Sequence, residues 1–359
     1  MNAVVPNSVN ARPIRLASTK HLSRDEWLQL RKQGIGSSDA AAAVGLNPYQ
    51  SMLELWLIKT GRDQDFPKPD LENDSSPLYW GNILEPIVAQ HYSQRTGHKV
   101  RRVNAVLQHP NPQLPWMLAN LDYRVGPQAK KHCSKHCENM HVNPQIDYDS
   151  CASDSVGLLE CKTAGEYGAR LWRNGVPEYV QLQVQHQLAV TGEQAADVCV
   201  LICGQQIQIH RIERDDELIA RLIELERQFW HYVETDTPPP ADGSASAQAA
   251  LRALYSQDAG TVLNLSHDPD LNQTFDQYLD LRQQIEQAEQ QQEQLKQQLQ
   301  QRMGDASQAV FARGSVSWKR SKDSLSLDSK RLLKDQPHLL QQYPLHKAGS
   351  RRFLVQVNP

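Results

Sequence analysis

The sequence predicts a mixed α/β (α+β) fold, in which a mixed central sheet is flanked by helices. Three observations support this class. Apolar residues recur at helical spacing in residues 80–97 and 215–235. Alternating or continuous apolar runs at 98–110, 117–126 and 197–213 predict strands and a hairpin. A short apolar run that ends in charge, LLECKT at 158–163, precedes another helical stretch at 177–192.

Composition limits the function more by exclusion than by direct indication. The 359 residues suffice for two or more domains, and 39% of them are apolar. The formal net charge of −3 gives no overall basis for nucleic-acid binding, which would need local patches. No apolar run is long enough for a membrane span, and the N-terminus lacks a signal-peptide core. We therefore expect a cytoplasmic protein with its six cysteines reduced.

The chain is predicted to divide into segments of different character. We expect a flexible arm at 1–20, a main domain at 21–237 and a Pro/Gly/Ser-rich linker at 238–250. A Gln-rich helical segment follows at 251–304, with heptad spacing over 271–303. The last segment, 305–359, is basic and contains two strand-like pieces, SVSWKR and RRFLVQV. It is expected to be a small β-rich extension.

Glu160 and Lys162 raise the central functional question. In a strand, side chains two residues apart share a face, so this acid and base should lie side by side. An isolated E-x-K is usually only a surface ion pair. Here, however, Glu85 on a helix and Asp122 after an apolar strand precede it, and Gln183 on a helix follows. Two carboxylates and a lysine in this order suit a Mg²⁺ site at a phosphate, because Mg²⁺ prefers oxygen ligands.

Five motifs sharpen this pattern into a family resemblance. They are GIGSSDAAAAVGLNPYQS, WGNILEPIVAQHY, ANLD, LECKT and QLQVQHQLAVTG, which occur in this order. Together they resemble the YqaJ-type viral recombinase, or phage lambda exonuclease-like, family of PD-(D/E)XK nucleases across residues 20–235. The C-terminal tail also looks like the extension of longer phage and prophage members.

The resemblance implies a Mg²⁺-dependent deoxyribonuclease, with Mn²⁺ as a substitute cation. It implies 5′→3′ exonuclease activity on double-stranded DNA ends, which leaves a 3′ single strand for an annealing recombinase. It further implies a ring-shaped homotrimer. An endonuclease of the same superfamily and a catalytically silent DNA-end-binding module remain alternatives.

The resemblance also implies roles for individual residues. The metal ligands would be Asp122, Glu160, Glu85 and the backbone carbonyl of Cys161. Lys162 would position the attacking water, and Gln183 would contact the site. A terminal phosphate or DNA would be bound by Arg31, Ser38, Asn120 and Arg170. Two positions depart from the family pattern, because Tyr123 stands where Gly is common and Gly168 stands where a pocket arginine is found.

An insertion at 127–156 separates Asp122 from Glu160. Its potential soft-metal ligands are His132, Cys133, His136, Cys137, His141 and Cys151. The spacing differs from a standard pair of zinc knuckles, so we expect a solvated loop rather than a Zn²⁺ site or an iron–sulfur cluster.

Overall fold

A computed structural model describes residues 12–64, 66, 73–128, 156–346 and 349–357. The chain forms two compact units, of which the first ends at Ser256 and the second begins at Gln257. The histidines and cysteines of the insertion, His132 to Cys151, lie outside the described residues. The expectation that the insertion is a solvated loop therefore stays a prediction.

The first unit contains strands and helices in mixed order. Its strands are β1 (Ile14–Ser18), β2 (His98–Arg102), β3 (Ala105–Gln108), β4 (Leu118–Asn120), β5 (Tyr123–Gln128), β6 (Gly157–Ala164), β7 (Ala195–Ile202) and β8 (Gln206–Glu213). Its helices are α1 (Arg24–Lys32), α2 (Ala40–Ala43), α3 (Met52–Lys59), α4 (Pro77–Thr96), α5 (Glu166–Ala169), α6 (Glu178–Thr191), α7 (Asp216–Glu234) and α8 (Ala245–Leu254).

The central sheet has five strands in the order β2-β5-β6-β7-β8. Only the β6–β7 pair is parallel, and α6 supplies the crossover between these two strands. The other neighbouring pairs are antiparallel. This mixed sheet with flanking helices confirms the predicted fold class.

A second sheet, β1-β3-β4, is antiparallel. The chain passes from the first sheet to the second between β2 and β3, and returns between β4 and β5. The predicted long strands at 98–110 and 117–126 are each two strands that belong to different sheets. Both chain segments change sheet at the same level, where the Val103 amide donates to the Asp122 carbonyl at 2.9 Å. Val103 and Leu121 are buried beside this crossing. Asp122 therefore lies at the junction of the two sheets.

Two apolar layers cover the two faces of the central sheet. On one face, α4 packs Val88 and Tyr92 against Tyr123 and Leu159 of the sheet. On the other face, the buried α6 packs against the strands with α7 behind it. Helix α4 begins at Pro77, so Pro86 lies in the interior of the helix. A proline at that position removes one backbone hydrogen bond of the helix.

Two predicted segment boundaries differ from the structure. Part of the expected flexible arm forms β1, because its backbone pairs with β3 in the second sheet. Much of the expected linker forms α8, whose Ala247 and Ala250 are buried. Ser246 of this helix exchanges hydrogen bonds with Ser51 at the start of α3, which fixes α8 to the first unit.

The second unit is built around one long helix, α9 (Pro269–Met303), which agrees with the predicted helical segment. The hairpin β9 (Gln308–Phe311) and β10 (Gly314–Ser317) follows it. Two short helices, α10 (Ser329–Asp335) and α11 (His338–Gln342), complete the unit. The segment RRFLVQV, predicted as a strand, has no regular structure, since the sheet of this unit contains only β9 and β10 among the described residues.

Candidate active site

Glu160 and Lys162 lie side by side on β6, as the strand period predicts. Lys162 Nζ is 2.8 Å from Glu160 Oε1. Burial lowers the pKa of Lys162, but the adjacent Glu160 carboxylate outweighs that effect and the net shift is upward. The lysine is therefore held in its charged form beside the carboxylate.

Two glutamines of α6 fix the orientation of Glu160. Gln183 Nε2 donates to Glu160 Oε1 at 2.6 Å, and Gln187 Nε2 donates to Oε2 at 2.8 Å. Gln183 also accepts from Lys162 Nζ through its Oε1 at 2.9 Å. A carboxylate offers about four lone-pair sites. Gln183, Gln187 and Lys162 already donate to the Glu160 carboxylate. About one lone-pair site of this carboxylate therefore remains for a further ligand.

Asp122 meets β6 from the sheet junction. Its Oδ2 accepts from the Cys161 amide at 2.9 Å, which places the carboxylate against the backbone between Glu160 and Lys162. Burial, then the negative charges of Glu160 and Glu85, raise the pKa of Asp122 well above its usual value. The carboxylates are therefore close enough to repel one another, and the positive charge of Lys162 offsets this effect on Asp122 only in part.

Glu85 approaches the same site from α4. Arg102 Nη2 lies 3.3 Å from Glu85 Oε1, an ion pair longer than a good hydrogen bond. Oε1 is buried and has no hydrogen-bond partner among the described residues. An unsatisfied buried carboxylate oxygen is costly, and it suggests an additional ligand.

The donor chemistry of this group fits a hard divalent cation, because every candidate ligand is oxygen. In the described part of the chain, however, no three His, Cys, Asp or Glu side chains are gathered around one point that would hold a metal ion. The fit therefore rests on the raised pKa of Asp122, the unsatisfied oxygen of Glu85 and the remaining site on Glu160.

A second cluster forms around Arg31 and Ser38. Arg31 Nη2 donates to Ser38 Oγ at 2.9 Å and to Asp39 Oδ1 at 2.6 Å. The buried Lys59 donates to Asp39 Oδ2 at 2.7 Å and to the Arg31 carbonyl at 2.8 Å. Burial raises the pKa of Asp39, but Arg31 and Lys59 together outweigh that effect and hold it far below its usual range.

This cluster clarifies the role of the Ser-Ser-Asp sequence. The side chain that bonds back to the turn is that of Asp39, whose Oδ2 accepts from the Gly36 amide at 3.1 Å. Ser38 is instead a partner of Arg31. Burial lowers the pKa of Lys59, and the nearby Arg31 charge adds to that effect. Arg31 is therefore the cation of this cluster that suits an anion.

One open cleft of about 1590 Å³ joins the two clusters. Its lining includes Arg31, Ser38, Glu85, Asn120 and Asp122. Asn120, the last residue of β4, lines this cleft, and its role in DNA binding stays a prediction. Three of the four predicted phosphate or DNA contacts therefore share one cavity with two of the predicted acids.

Glu160, Cys161, Lys162 and Gln183 lie behind Asp122 and do not line this cleft, and Arg170 lies outside both the cleft and this group. Arg170 begins a 3-10 turn after α5, is exposed, and is not among the residues that line the cleft. Its role in DNA binding stays a prediction.

Three site residues were missed by the sequence interpretation: Asp39, Lys59 and Gln187. Gln187 lies four residues after Gln183, and this helical spacing could have indicated it. Asp39 is contained in the motif GIGSSDAAAAVGLNPYQS, in which the family resemblance implied a role only for Ser38. Lys59 carried no signal, because nothing in a short helix marks one lysine as buried.

His186, which the sequence left without a role, joins three elements behind the site. Its Nδ1 lies 2.7 Å from Glu226 Oε1 on α7, and its Nε2 lies 2.9 Å from the Leu118 carbonyl on β4. Burial lowers the pKa of His186, but the Glu226 carboxylate outweighs that effect, so the net shift is upward. An imidazolium that donates from both nitrogens links α6 and α7 to the strand that leads to Asp122.

Residues 26–194 match the model of the YqaJ-like viral recombinase domain. A protein of Bacillus subtilis (strain 168), described as uncharacterized protein YqaJ, is 34% identical over 328 residues, which cover 89% of this chain and 90% of that protein. The chain belongs to the YqaJ-like viral recombinase family.

Solved structures give a more distant comparison. An alkaline exonuclease (LHK-Exo) from Laribacter hongkongensis is 23% identical and matches 59% of this chain and 93% of its own, with a TM-score of 0.42. Its complex with dAMP gives the same values.

Among the helices of the described ranges, none combines the length and the apolar character needed to cross a membrane.

Proposed function

We propose that this chain is a divalent-metal-dependent deoxyribonuclease that degrades double-stranded DNA from its ends in the 5′→3′ direction. The observation that carries the proposal is the shared cleft. The Arg31–Ser38 cluster, which suits a terminal phosphate, lines the same cavity as Glu85 and Asp122, two carboxylates that suit a cation. That combination is expected for a nuclease that holds an end and hydrolyses a nearby phosphodiester.

The cation, Mg²⁺ or Mn²⁺, would be held by Asp122, Glu85, the Cys161 carbonyl and the remaining site on Glu160. It would stabilise charge on the phosphate and lower the pKa of a water molecule. Gln183 and Gln187 hold Glu160 in one orientation, and Lys162 stays protonated beside it. Its ammonium group can orient the attacking water or neutralise developing charge on the phosphate.

The product of this activity would be a duplex with a 3′ single strand. Such a strand is the substrate of a single-strand annealing recombinase, which is the partner we propose in keeping with a recombinase family. The proposed location is the cytoplasm of a bacterial or phage-infected cell. The ring-shaped trimer implied by the resemblance stays a prediction.

The direct test is to incubate the full chain and Mg²⁺ with linear duplex labelled at either the 5′ or the 3′ end, beside a closed circular control. We expect degradation of the linear substrate, with early release of the 5′ label. Cutting of circles at the linear rate would replace the exonuclease by an endonuclease. Absence of cleavage on both substrates with Mg²⁺ or Mn²⁺ would contradict the nuclease proposal.

Arg31 should make the rate depend on a 5′-phosphate. Its guanidinium has five donors, and both recorded hydrogen bonds use Nη2. We expect wild-type protein to degrade 5′-phosphorylated duplex faster than 5′-hydroxyl duplex. Arg31→Ala should lower the ratio of these two rates by about tenfold, since a charge-assisted hydrogen bond contributes about 1.5–3 kcal/mol. Initial rates on the two substrates measure the ratio.

Two further variants control this experiment. Arg31→Lys keeps the charge without bidentate geometry and should retain part of the preference. Arg227→Ala removes an arginine of α7 whose side chain is 50% exposed, and it should leave the ratio of the two rates unchanged. Equal wild-type rates on the two ends would remove the phosphate pocket from the proposal.

A further inference from the structure

Helix α9 presents an apolar stripe that its own unit leaves uncovered. The 35-residue helix is about 52 Å long at 1.5 Å per residue. Its heptad seam consists of a first series, Tyr278, Ile285, Gln292 and Leu299, and a second series, Leu281, Ala288, Leu295 and Arg302. Leu281, Ile285 and Leu295 are exposed by 57%, 58% and 61%. Apolar residues at these positions need a partner surface to be buried.

Within the second unit, one contact reaches the seam from the C-terminal tail. The Phe353 ring meets Tyr278 edge-on, with centroids 5.9 Å apart. Phe353 itself remains 82% exposed, and the exposures of the three central seam residues above include any cover from the described tail. The tail therefore leaves the middle of the stripe open.

We propose that α9 pairs with α9 of a second copy of this chain in an antiparallel coiled coil. The charges beside the seam are the observation that selects this occupant and this direction. The residues that follow the second series are Arg282, Glu289 and Lys296, whereas those that precede the first series are Gln277, Gln284, Gln291 and Gln298.

Parallel pairing would place each charged flanking residue opposite a glutamine, because these two flanks face each other in a parallel coil. The charges would then contribute nothing to the choice of partner. In antiparallel pairing, the charged flank of one copy faces the charged flank of the other. Opposite charges can meet only in this second arrangement.

The charges also select one antiparallel register. It places Arg282 opposite Glu289 of the second copy, and by symmetry Glu289 opposite Arg282, so both contacts are attractive. In the same register Ile285 packs against Ala288 of the second copy, and Tyr278 against Leu295. A shift by one heptad in either direction sets Arg282 against Arg282 or Glu289 against Glu289. A further shift toward the C-terminus brings Glu289 to Lys296 but sets Ile285 against Arg302 and shortens the apolar overlap.

Charge reversal on the full chain tests both the pairing and its direction. Arg282→Glu and Glu289→Arg should each weaken self-association through α9 by about tenfold or more, because two attractive flanking contacts become repulsive. The chain that carries both substitutions restores opposite charges and should associate as wild type does. Analytical ultracentrifugation across a concentration series measures these constants.

Mixing gives a result that only the antiparallel register predicts. The Arg282→Glu chain carries acids at both flanking positions, and the Glu289→Arg chain carries bases at both. An equimolar mixture should therefore associate as mixed pairs, more tightly than either variant alone. A Glu286→Arg chain, changed on the outer face of α9 next to the seam residue Ile285, should behave as wild type.

Several outcomes would overturn the proposal. Wild-type association that is unchanged by either single reversal would show that α9 is not the contact or that its pairing is parallel. A strict monomer for the full chain at micromolar concentration would show that its own tail or another protein covers the stripe. These measurements are independent of nuclease activity, so they stand whether or not the proposed function holds.

Discussion

Replacing Glu160 by Ala, Asp122 by Ala or Lys162 by Met should each reduce Mg²⁺-dependent DNA hydrolysis by at least about 10²-fold, the scale of removing one electrostatic group from an active site. Glu160 and Lys162 are in contact at 2.8 Å, and Asp122 lies against the backbone between them. These three groups therefore form one unit. Initial rates on linear duplex at saturating Mg²⁺ measure the loss.

Because the three residues act together, their effects should not add. The double variant Asp122→Ala/Glu160→Ala should be about as inactive as the worse single variant. Glu224→Gln provides a matched control, since this carboxylate on α7 is 60% exposed and lies outside the cleft. Near wild-type rates in the double variant would end the nuclease proposal.

Loss of folding must be separated from loss of chemistry in these variants. Glu160→Ala leaves Gln183 and Gln187 without their shared acceptor, and each unsatisfied buried donor costs about 1–3 kcal/mol. Lys162→Met keeps most of the length of the side chain and removes its charge and its hydrogen-bond donors. Circular dichroism and thermal unfolding of each variant show whether an inactive protein is still folded.

Strand periodicity made the centre of the site predictable from the sequence. A period of two fixes Glu160 and Lys162 on one face whatever the surrounding fold, and the contact between them confirms it. Gln183 was predictable only through the family resemblance, because a glutamine on a helix has no intrinsic signature. Gln187 lies on the same face four residues later, so the helical spacing indicates it once Gln183 has been placed in the site.

The sheet junction could not be read from the sequence. Residues 98–110 and 117–126 alternate without a Gly or Pro at the two points where the chain changes sheet. The alternation of apolar residues indicates which side chains are buried. Because the strands of both sheets bury apolar side chains, the alternation does not show where one sheet ends and the other begins. The break depends on which strands are neighbours in space, a tertiary property that periodicity does not contain.

The errors at the two segment boundaries have different causes. The Pro- and Gly-rich start of the expected linker is irregular, but Ser244 caps the Ala-rich stretch that follows and starts α8. That cap was a local signal and was overlooked. Strand β1, by contrast, exists only through pairing with β3, some ninety residues away, which no local pattern reveals.

Replacing Asp122 by Asn should stabilise the metal-free protein near neutral pH. Burial and the carboxylates of Glu160 and Glu85 raise the pKa of Asp122 above the usual 3.8. A carboxyl group whose pKa is raised by folding contributes stability below pH 3.8, and that contribution is lost as the pH rises through the folded-state pKa. Asparagine keeps an oxygen that can accept from the Cys161 amide but carries no charge. Its advantage should therefore be small at acidic pH and grow as the pH rises.

Mg²⁺ should reverse this ranking. A cation bound to ionised Asp122 stabilises the native state by mass action, by about 2.7 kcal/mol at a hundred times its dissociation constant. Thermal unfolding with chelator and with Mg²⁺, followed across pH, should show a Tm increase in wild-type protein that Asp122→Asn lacks. The exposed control Glu224→Gln should respond to Mg²⁺ as wild type does. If Asp122→Asn is less stable than wild type in chelator at neutral pH, the electrostatic description of the site is wrong. If Mg²⁺ raises the Tm of both proteins equally, Asp122 is not a metal ligand.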